Sequence, residues 1–246
     1  MKAICIIPAR GGSKGIPKKN IKKINGKPLL GYVIESTKKS KIFEHVIVST
    51  EDDEIAKIAK KFGAEVPFKR PKILASDYAP MDKVLLHAVQ ELYKLNYEFE
   101  IFVWRDATTP FIKSEDIKNS IQLLKRKKVP IVSGVYRQHL NPYFNIVETK
   151  SNGFLKLCKP LKVKARSRQE APPVFQLNGL YVYDAKKFLK IKKTDLSKTL
   201  PYEIPVENGL MIDTKFEFAK MILKKYNNYL LNDFLSSFND FKYPSF

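Results

Sequence analysis

The chain begins with a short apolar run, Ala3 to Ile7, that empties into Pro8-Ala9-Arg10-Gly11-Gly12-Ser13-Lys14-Gly15-Ile16-Pro17-Lys18-Lys19-Asn20. An apolar run of this length beside a turn signal reads as a buried strand. The glycines behind it permit backbone conformations and close approaches that a Cβ blocks. Successive N–H groups of such a loop can converge on an anion, and Arg10, Lys14, Lys18 and Lys19 surround them with positive charge. The loop lacks the Gly-Lys-Ser/Thr ending of a Walker loop and the G-x-G-x-x-G spacing of a dinucleotide fingerprint. A solvated basic turn would share its composition but does not account for its place directly after an N-terminal strand. The expectation is a polyphosphate cradle.

Strand-like runs then alternate with helical patterns, which predicts an α/β sheet. Pro28 opens a helix with Leu29, Leu30, Val33 and Ile34 on one face, and Val46 to Val48 is a second buried strand. Thr50 is expected to cap the next helix, with Gly63 just past its end. Residues 80–95 form a further helix, Phe99 to Trp104 and Val129 to Val135 are strands, and Ser114 opens the helix between them. From about 137 to 175 the pattern breaks into short strands and turns, and the chain returns through Leu177 to Tyr183. A last helix is expected over 214–223, followed by an aromatic, Asn-rich tail.

Two acids stand just after apolar strands: Asp106 in Trp104-Arg105-Asp106-Ala107-Thr108-Thr109-Pro110, and Asp213 after Leu210-Met211-Ile212. Ligands of open α/β sheets bind beyond the carboxyl ends of strands. Two carboxylates facing a triphosphate there make a site for Mg²⁺, which prefers oxygen ligands and shares them with phosphates. Taken singly, Asp106 also reads as a plain loop acid and Asp213 as a helix N-cap.

The formal charge of +20 would suit a nucleic-acid binder. However, the lysines are spread along the whole chain, and no stretch concentrates arginine with aromatics. The expected partner is a small anion rather than nucleic acid. No apolar run approaches the ~20 residues that span a bilayer, and two cysteines, Cys5 and Cys158, form no disulfide framework or zinc site. A cytoplasmic enzyme is expected.

The run Ile7 to Ile21, followed by Gly26-Lys27-Pro28-Leu29, resembles the signature of the acylneuraminate cytidylyltransferases, within the sugar nucleotidyltransferases. The resemblance continues through Val46 to Asp52, Gly63 to Pro71, Leu74 to Asp77, Arg168 to Glu170, Pro172 to Gly179 and Ile212 to Thr214, covering about residues 1–224. It implies a Rossmann-like three-layer α/β fold with a mainly parallel sheet. Residues 1–136 and 176–224 would form the nucleotidyltransferase domain, 137–175 an inserted arm for dimerisation and substrate, and 225–246 a tail.

The implied reaction is attack of a sugar hydroxyl on the α-phosphorus of CTP, giving a CMP-sugar and pyrophosphate with Mg²⁺ (or Mn²⁺). The acceptor would be an acidic nine-carbon sugar of the sialic type, and the active unit a homodimer. Ala9, Arg10, Gly11, Gly12, Ser13, Lys14, Lys19 and Asn20 would hold the nucleotide, with Arg10, Lys14 and Lys19 serving catalysis and Arg70 near the base. Arg168 and Asn178 match positions near the sugar, where a guanidinium pairs with a carboxylate; Arg166 would help them, and reads equally as part of a solvated basic loop. Asp106 and Asp213 would be the metal ligands.

The chain departs from the family at both acids. Gln-Pro-Thr-Ser-Pro is common where Asp106 to Pro110 stands, and Asp-x-Asp where Met211-Ile212-Asp213 stands. That redistribution resembles the Kdo cytidylyltransferases and leaves the sugar open among sialic, legionaminic, pseudaminic and Kdo-like acids, with GTP as an alternative nucleotide. A non-catalytic polyanion-binding module would explain the charge but neither acid.

Overall fold

The computed structural model describes residues 2–13 and 15–218. Lys14 and the expected tail at 225–246 therefore lie outside the described residues, as does the second half of the expected last helix.

Six strands form the central sheet. In chain order they are β1 (Ala3–Pro8), then, after a small hairpin of β2 (Lys23–Ile24) and β3 (Lys27–Pro28), β4 (His45–Ser49), β5 (Ile101–Arg105) and β6 (Ile131–Gln138). After a second hairpin, β7 (Val147–Thr149) with β8 (Leu155–Leu157), the sheet is completed by β9 (Val174–Asp184) and β10 (Thr199–Glu203). The spatial order is β10-β6-β9-β5-β1-β4. β1 is parallel to β4 and β5, and β6 to β10, while β9 runs antiparallel to both its neighbours. The expected mainly parallel sheet is present, with one reversed strand inside it.

Alternate side chains of the strands feed two cores, as a period of two requires. Cys5, Ile7 and Val103 pack with α1 (Leu29–Lys39), α2 (Asp53–Lys61) and α4 (Ser114–Lys127) on one face. Ile4, Ile6, Phe102 and Trp104 pack with α3 (Met81–Lys94) and α5 (Ala185–Ile191) on the other. Phe102 stacks on Tyr183, centroids 4.7 Å apart. The result is three layers, helices over both faces of the sheet.

The helix at 53–61 is capped by Asp52 rather than Thr50. The Asp52 carboxylate accepts from Glu54 N at 2.8 Å and Ile55 N at 3.0 Å, whereas Thr50 Oγ1 accepts only from Asp52 N. The expected excursion leaves the sheet later and rejoins it earlier than the sequence pattern implied, because β6 and β9 stay paired out to Gln138 and Val174. Between them the β7–β8 hairpin stands off the main sheet.

A third cluster fixes the glycine loop. Ile16 and Ile24 pack against Leu29, Ile212 and Phe218, so the loop after β1 and the segment carrying Asp213 share one small core. A short helix, α6 (Val206–Gly209), precedes that segment.

Candidate active site

A cleft of about 320 Å³ opens beyond the carboxyl ends of β1 and β5 and the segment at 211–213. Arg10, Gly12, Ser13, Lys19, Asn20, Arg70, Asp106 and Asp213 line it. Most of the residues singled out from the sequence therefore meet in one place, from segments as far apart as 10 and 213.

The loop is held from behind. Asn20 Nδ2 donates to Arg10 O at 2.9 Å, and Ala9 N to Ser49 O at 3.0 Å. Gly11 N donates to Glu51 Oε1 at 2.7 Å, and a Cβ on Gly11 would meet Asp52 Oδ2 at 2.4 Å. Only glycine allows the loop to lie that close to the β4–α2 turn. Ala9 and Gly11 thus serve the loop's backbone and do not line the cleft.

Its walls are charged. Arg10 pairs with Asp77 at 2.7 Å, and Lys19 Nζ with Asp213 Oδ1 at 2.7 Å. Arg70 is buried, its Nε donating to Ser49 Oγ at 3.2 Å and its Nη2 to Ser49 O. Burial pushes its guanidinium down to about 10, partly opposed by Glu51, so it remains a cation at neutral pH.

Asp106 lies deep in the cleft. Its N–H donates to Gly179 O at 2.8 Å, and Trp104 Nε1 donates to its Oδ1 at 3.0 Å. Gly179 has φ +72°, and a Cβ there would meet Asp106 Oδ2 at 2.4 Å. A glycine in β9 therefore makes room for the carboxylate. Burial pushes this acid up to about 6, with a further push from Asp213 against the pull of Trp104 and Lys19.

Asp213 does not cap the helix that follows it. Thr214 Oγ1 accepts from Glu217 N at 3.3 Å, and Glu217 Oε2 accepts from Asp213 N and Thr214 N at 2.8 Å each. This reciprocal pairing is a capping box with Thr214 as the N-cap. The Asp213 carboxylate is left to face Lys19 and Asp106.

The residues expected near a sugar separate. Arg168 lines a second hollow of about 770 Å³, with Tyr136, Gln138, Gln176 and Glu217. Because Glu217 holds Asp213 N, the two cavities flank the same short segment. Arg166 is turned to solvent, its guanidinium 3.4 Å from Glu170. Asn178 is fully buried in β9 and its Oδ1 accepts from Leu180 N at 3.1 Å, so it reaches neither cavity wall.

Two residues with evident roles carried no role in the sequence reading. Asp77 lies in the Leu-Ala-Ser-Asp stretch and sets Arg10; Glu51 follows β4 and binds the glycine loop. An acid just past a strand is the signal that could have found Glu51; Asp77 lies in the irregular stretch before α3 and had no such signal.

A family model described as cytidylyltransferase matches residues 4–237. The pseudaminic acid cytidylyltransferase of Campylobacter jejuni is 31% identical over 91% of this chain and 97% of its own length. The CMP-N,N'-diacetyllegionaminic acid synthase of the same species is 34% identical over 87% and 91%. Among solved structures, a CMP:2-keto-3-deoxy-manno-octonic acid synthetase complexed with CTP superposes with a TM-score of 0.69 at 18% identity, covering 93% of this chain and all of that one. The fold, the glycine loop and these matches agree: the chain belongs to the cytidylyltransferase family, among the nucleotidyltransferases of the acylneuraminate type.

Proposed function

We propose that the cleft binds CTP and that the protein transfers its cytidylyl group to a nonulosonic acid, releasing pyrophosphate. The observation that carries this reading is the convergence of Asp106 and Asp213 with Arg10, Lys19 and the glycine loop in one cleft. Two carboxylates beside a cationic loop are what a nucleoside triphosphate with a divalent cation requires.

The donor set fits such a cation. Asp106 and Asp213 both offer carboxylate oxygens to the cleft, and Asp213 already meets a cationic group in Lys19. The remaining positions would fall to phosphate oxygens and water. When bound, Mg²⁺ or Mn²⁺ neutralises phosphate charge and stabilises the attacking and leaving oxygens. The chain's own part is alignment: Arg10, Ser13, Lys14 and Lys19 hold the phosphates, Asn20 keeps the loop in shape, and Arg70 meets the nucleoside end.

The sugar carboxylate is assigned to Arg168, which lines the second hollow and would be offered to the cleft of a second copy. The named relatives act on pseudaminic and N,N'-diacetyllegionaminic acids, which supports an acceptor of the nonulosonic class. We assign the excursion between Gln138 and Val174 to pairing with a second copy. Phe154, Leu155 and Val163 on it are exposed and apolar, and short strands of this kind need another surface to cover them.

The test is pyrophosphate release, with each of the four nucleoside triphosphates crossed against sialic, legionaminic, pseudaminic and Kdo acids. CTP with one nine-carbon acid should dominate. No release with CTP and any of the acids overturns the reading.

A further inference from the structure

Arg105 ends β5 one residue before Asp106 and is wholly buried. Holding a guanidinium away from water is costly without a counter-charge, yet its hydrogen-bond partners are all neutral. Nη1 donates to Thr37 Oγ1 at 2.8 Å and Val33 O at 3.5 Å, both on α1. Nη2 donates to Thr109 O at 3.0 Å and Ile112 O at 3.3 Å. An aliphatic side chain would fill the same place without that cost; what it lacks is a planar fork that reaches two elements at once.

The backbone held by that fork is the cleft wall. Thr109 N and Oγ1 both return to Asp106 O, at 3.2 and 2.8 Å, closing the turn that begins with Asp106. Inside it, Thr108 O accepts from Ile212 N at 2.9 Å, and Ile212 carries Asp213. Helix α1, the 106–112 turn and the 211–213 segment therefore form one continuous chain of contacts centred on Arg105.

We propose that Arg105 is a positioning residue for the reaction: by tying the 106–112 turn to α1, it fixes the backbones of both Asp106 and Asp213. This rests on the assignment of those two acids to the active site. It makes Arg105 responsible for their mutual placement although its side chain does not line the cleft.

Amide hydrogen exchange on the full chain without nucleotide tests it, alongside steady-state rates. In Arg105→Met, amides at 106–112 and 211–213 should exchange about ten-fold faster while α2 and β4 are unchanged. The kcat should fall about ten-fold or more, with KM for CTP within about three-fold. Arg105→Lys keeps the charge but not the fork and should rescue neither. Thr37→Val, which removes one acceptor at nearly constant volume, should move the same segments by a smaller factor and decides the matter if Arg105→Met does not fold. The proposal is overturned by exchange that rises uniformly, by no change at 211–213, or by full rescue with Lys. Since exchange is read without substrate, a protein that failed to use CTP would overturn the assignment of the cleft and leave this comparison decisive for Arg105.

Discussion

Lys19 and Asp213 lie 194 residues apart in sequence, and Lys19 Nζ is 2.7 Å from Asp213 Oδ1. That pair joins the glycine loop to the last described segment. Thr214, the next residue, takes the capping of the helix at 215–218. The Asp213 carboxylate is thereby left out of the cap and turned to Lys19.

Asp213→Asn should therefore lower turnover by roughly 10²–10³-fold, the scale of losing one charge-stabilising group, and raise the Mg²⁺ concentration needed for half-maximal rate. Its melting temperature should change by no more than about 1 kcal/mol would give, since Asp213 is half-exposed and asparagine can still accept from the largely buried Lys19. Thr214→Ala should do the reverse, costing about 1 kcal/mol of stability through loss of the cap with a smaller effect on rate. Thermal melts and pyrophosphate release on the same samples check both. A rate near the parent's in Asp213→Asn would show that this carboxylate does not serve the reaction.

Asp106 predicts a pH dependence in protein stripped of metal. Its folded value, about 6, stands above the ordinary 3.8 because burial opposes the charge. A raised acid favours folding fully below the unfolded value, and that contribution is lost as pH rises through about 6. Above that range the ionised carboxylate works against the fold by about 1–3 kcal/mol, discounted for water in the cleft. Melts in EDTA should show Asp106→Asn more stable than the parent at pH 8 and no different near pH 4. Equal stability at both would show that the carboxylate is well solvated. With Mg²⁺ and CTP, the same variant should lose most of its activity.

Much of this site was legible in the sequence because its elements obey local rules. β1 with its glycine loop, the apolar faces of α1 and α3, and the strand-end position of Asp106 follow from periodicity and topology; Asp213, expected to follow a strand at 210–212, instead follows α6 and an irregular stretch. The direction of β9 was not legible, since a strand buried on both faces reads the same either way. Nor was the choice of Asp52 over Thr50 as cap, where two competent side chains stand two residues apart. Arg105 was hidden for a different reason. A cation closing an apolar strand reads as a solvent-facing stop, and its partners are backbone carbonyls and a threonine with no signature of their own. Asn178 and Arg168 lie ten residues apart and match the same family, yet the pleat of β9 turns one inward while the loop brings the other to a cavity.

The glycine loop predicts a catalytic loss with little change in fold. Arg10 is only partly buried and pairs with Asp77 across the cleft, so Arg10→Ala removes no core packing. Its turnover should fall by an amount equivalent to about 2–4 kcal/mol of transition-state stabilisation, and Lys14→Ala should match it. Circular dichroism and melts should stay close to the parent. Rates near the parent's for either variant would remove the phosphate cradle from the mechanism.

Arg168 tests whether the arm pairs two copies of the chain. This residue lines a hollow bounded by β6, the chain just before β9 and the segment at 216–217, and the surface around it keeps Leu140, Val206 and Phe216 exposed. If a second copy covers that surface, a two-fold interface builds two equivalent sites, each with its glycine loop from one subunit and Arg168 reaching over from the other. An Arg168→Ala variant and a Lys14→Ala variant, each inactive alone, should then complement when mixed. A hybrid dimer holds one site with both residues intact and one with neither, so random exchange should restore roughly a quarter of parental activity, because half of the dimers are hybrid and each has one working site. Sedimentation at assay concentration should give a dimer. A monomer, or no recovery after exchange proven with a tagged subunit, would show that Arg168 serves the site of its own chain.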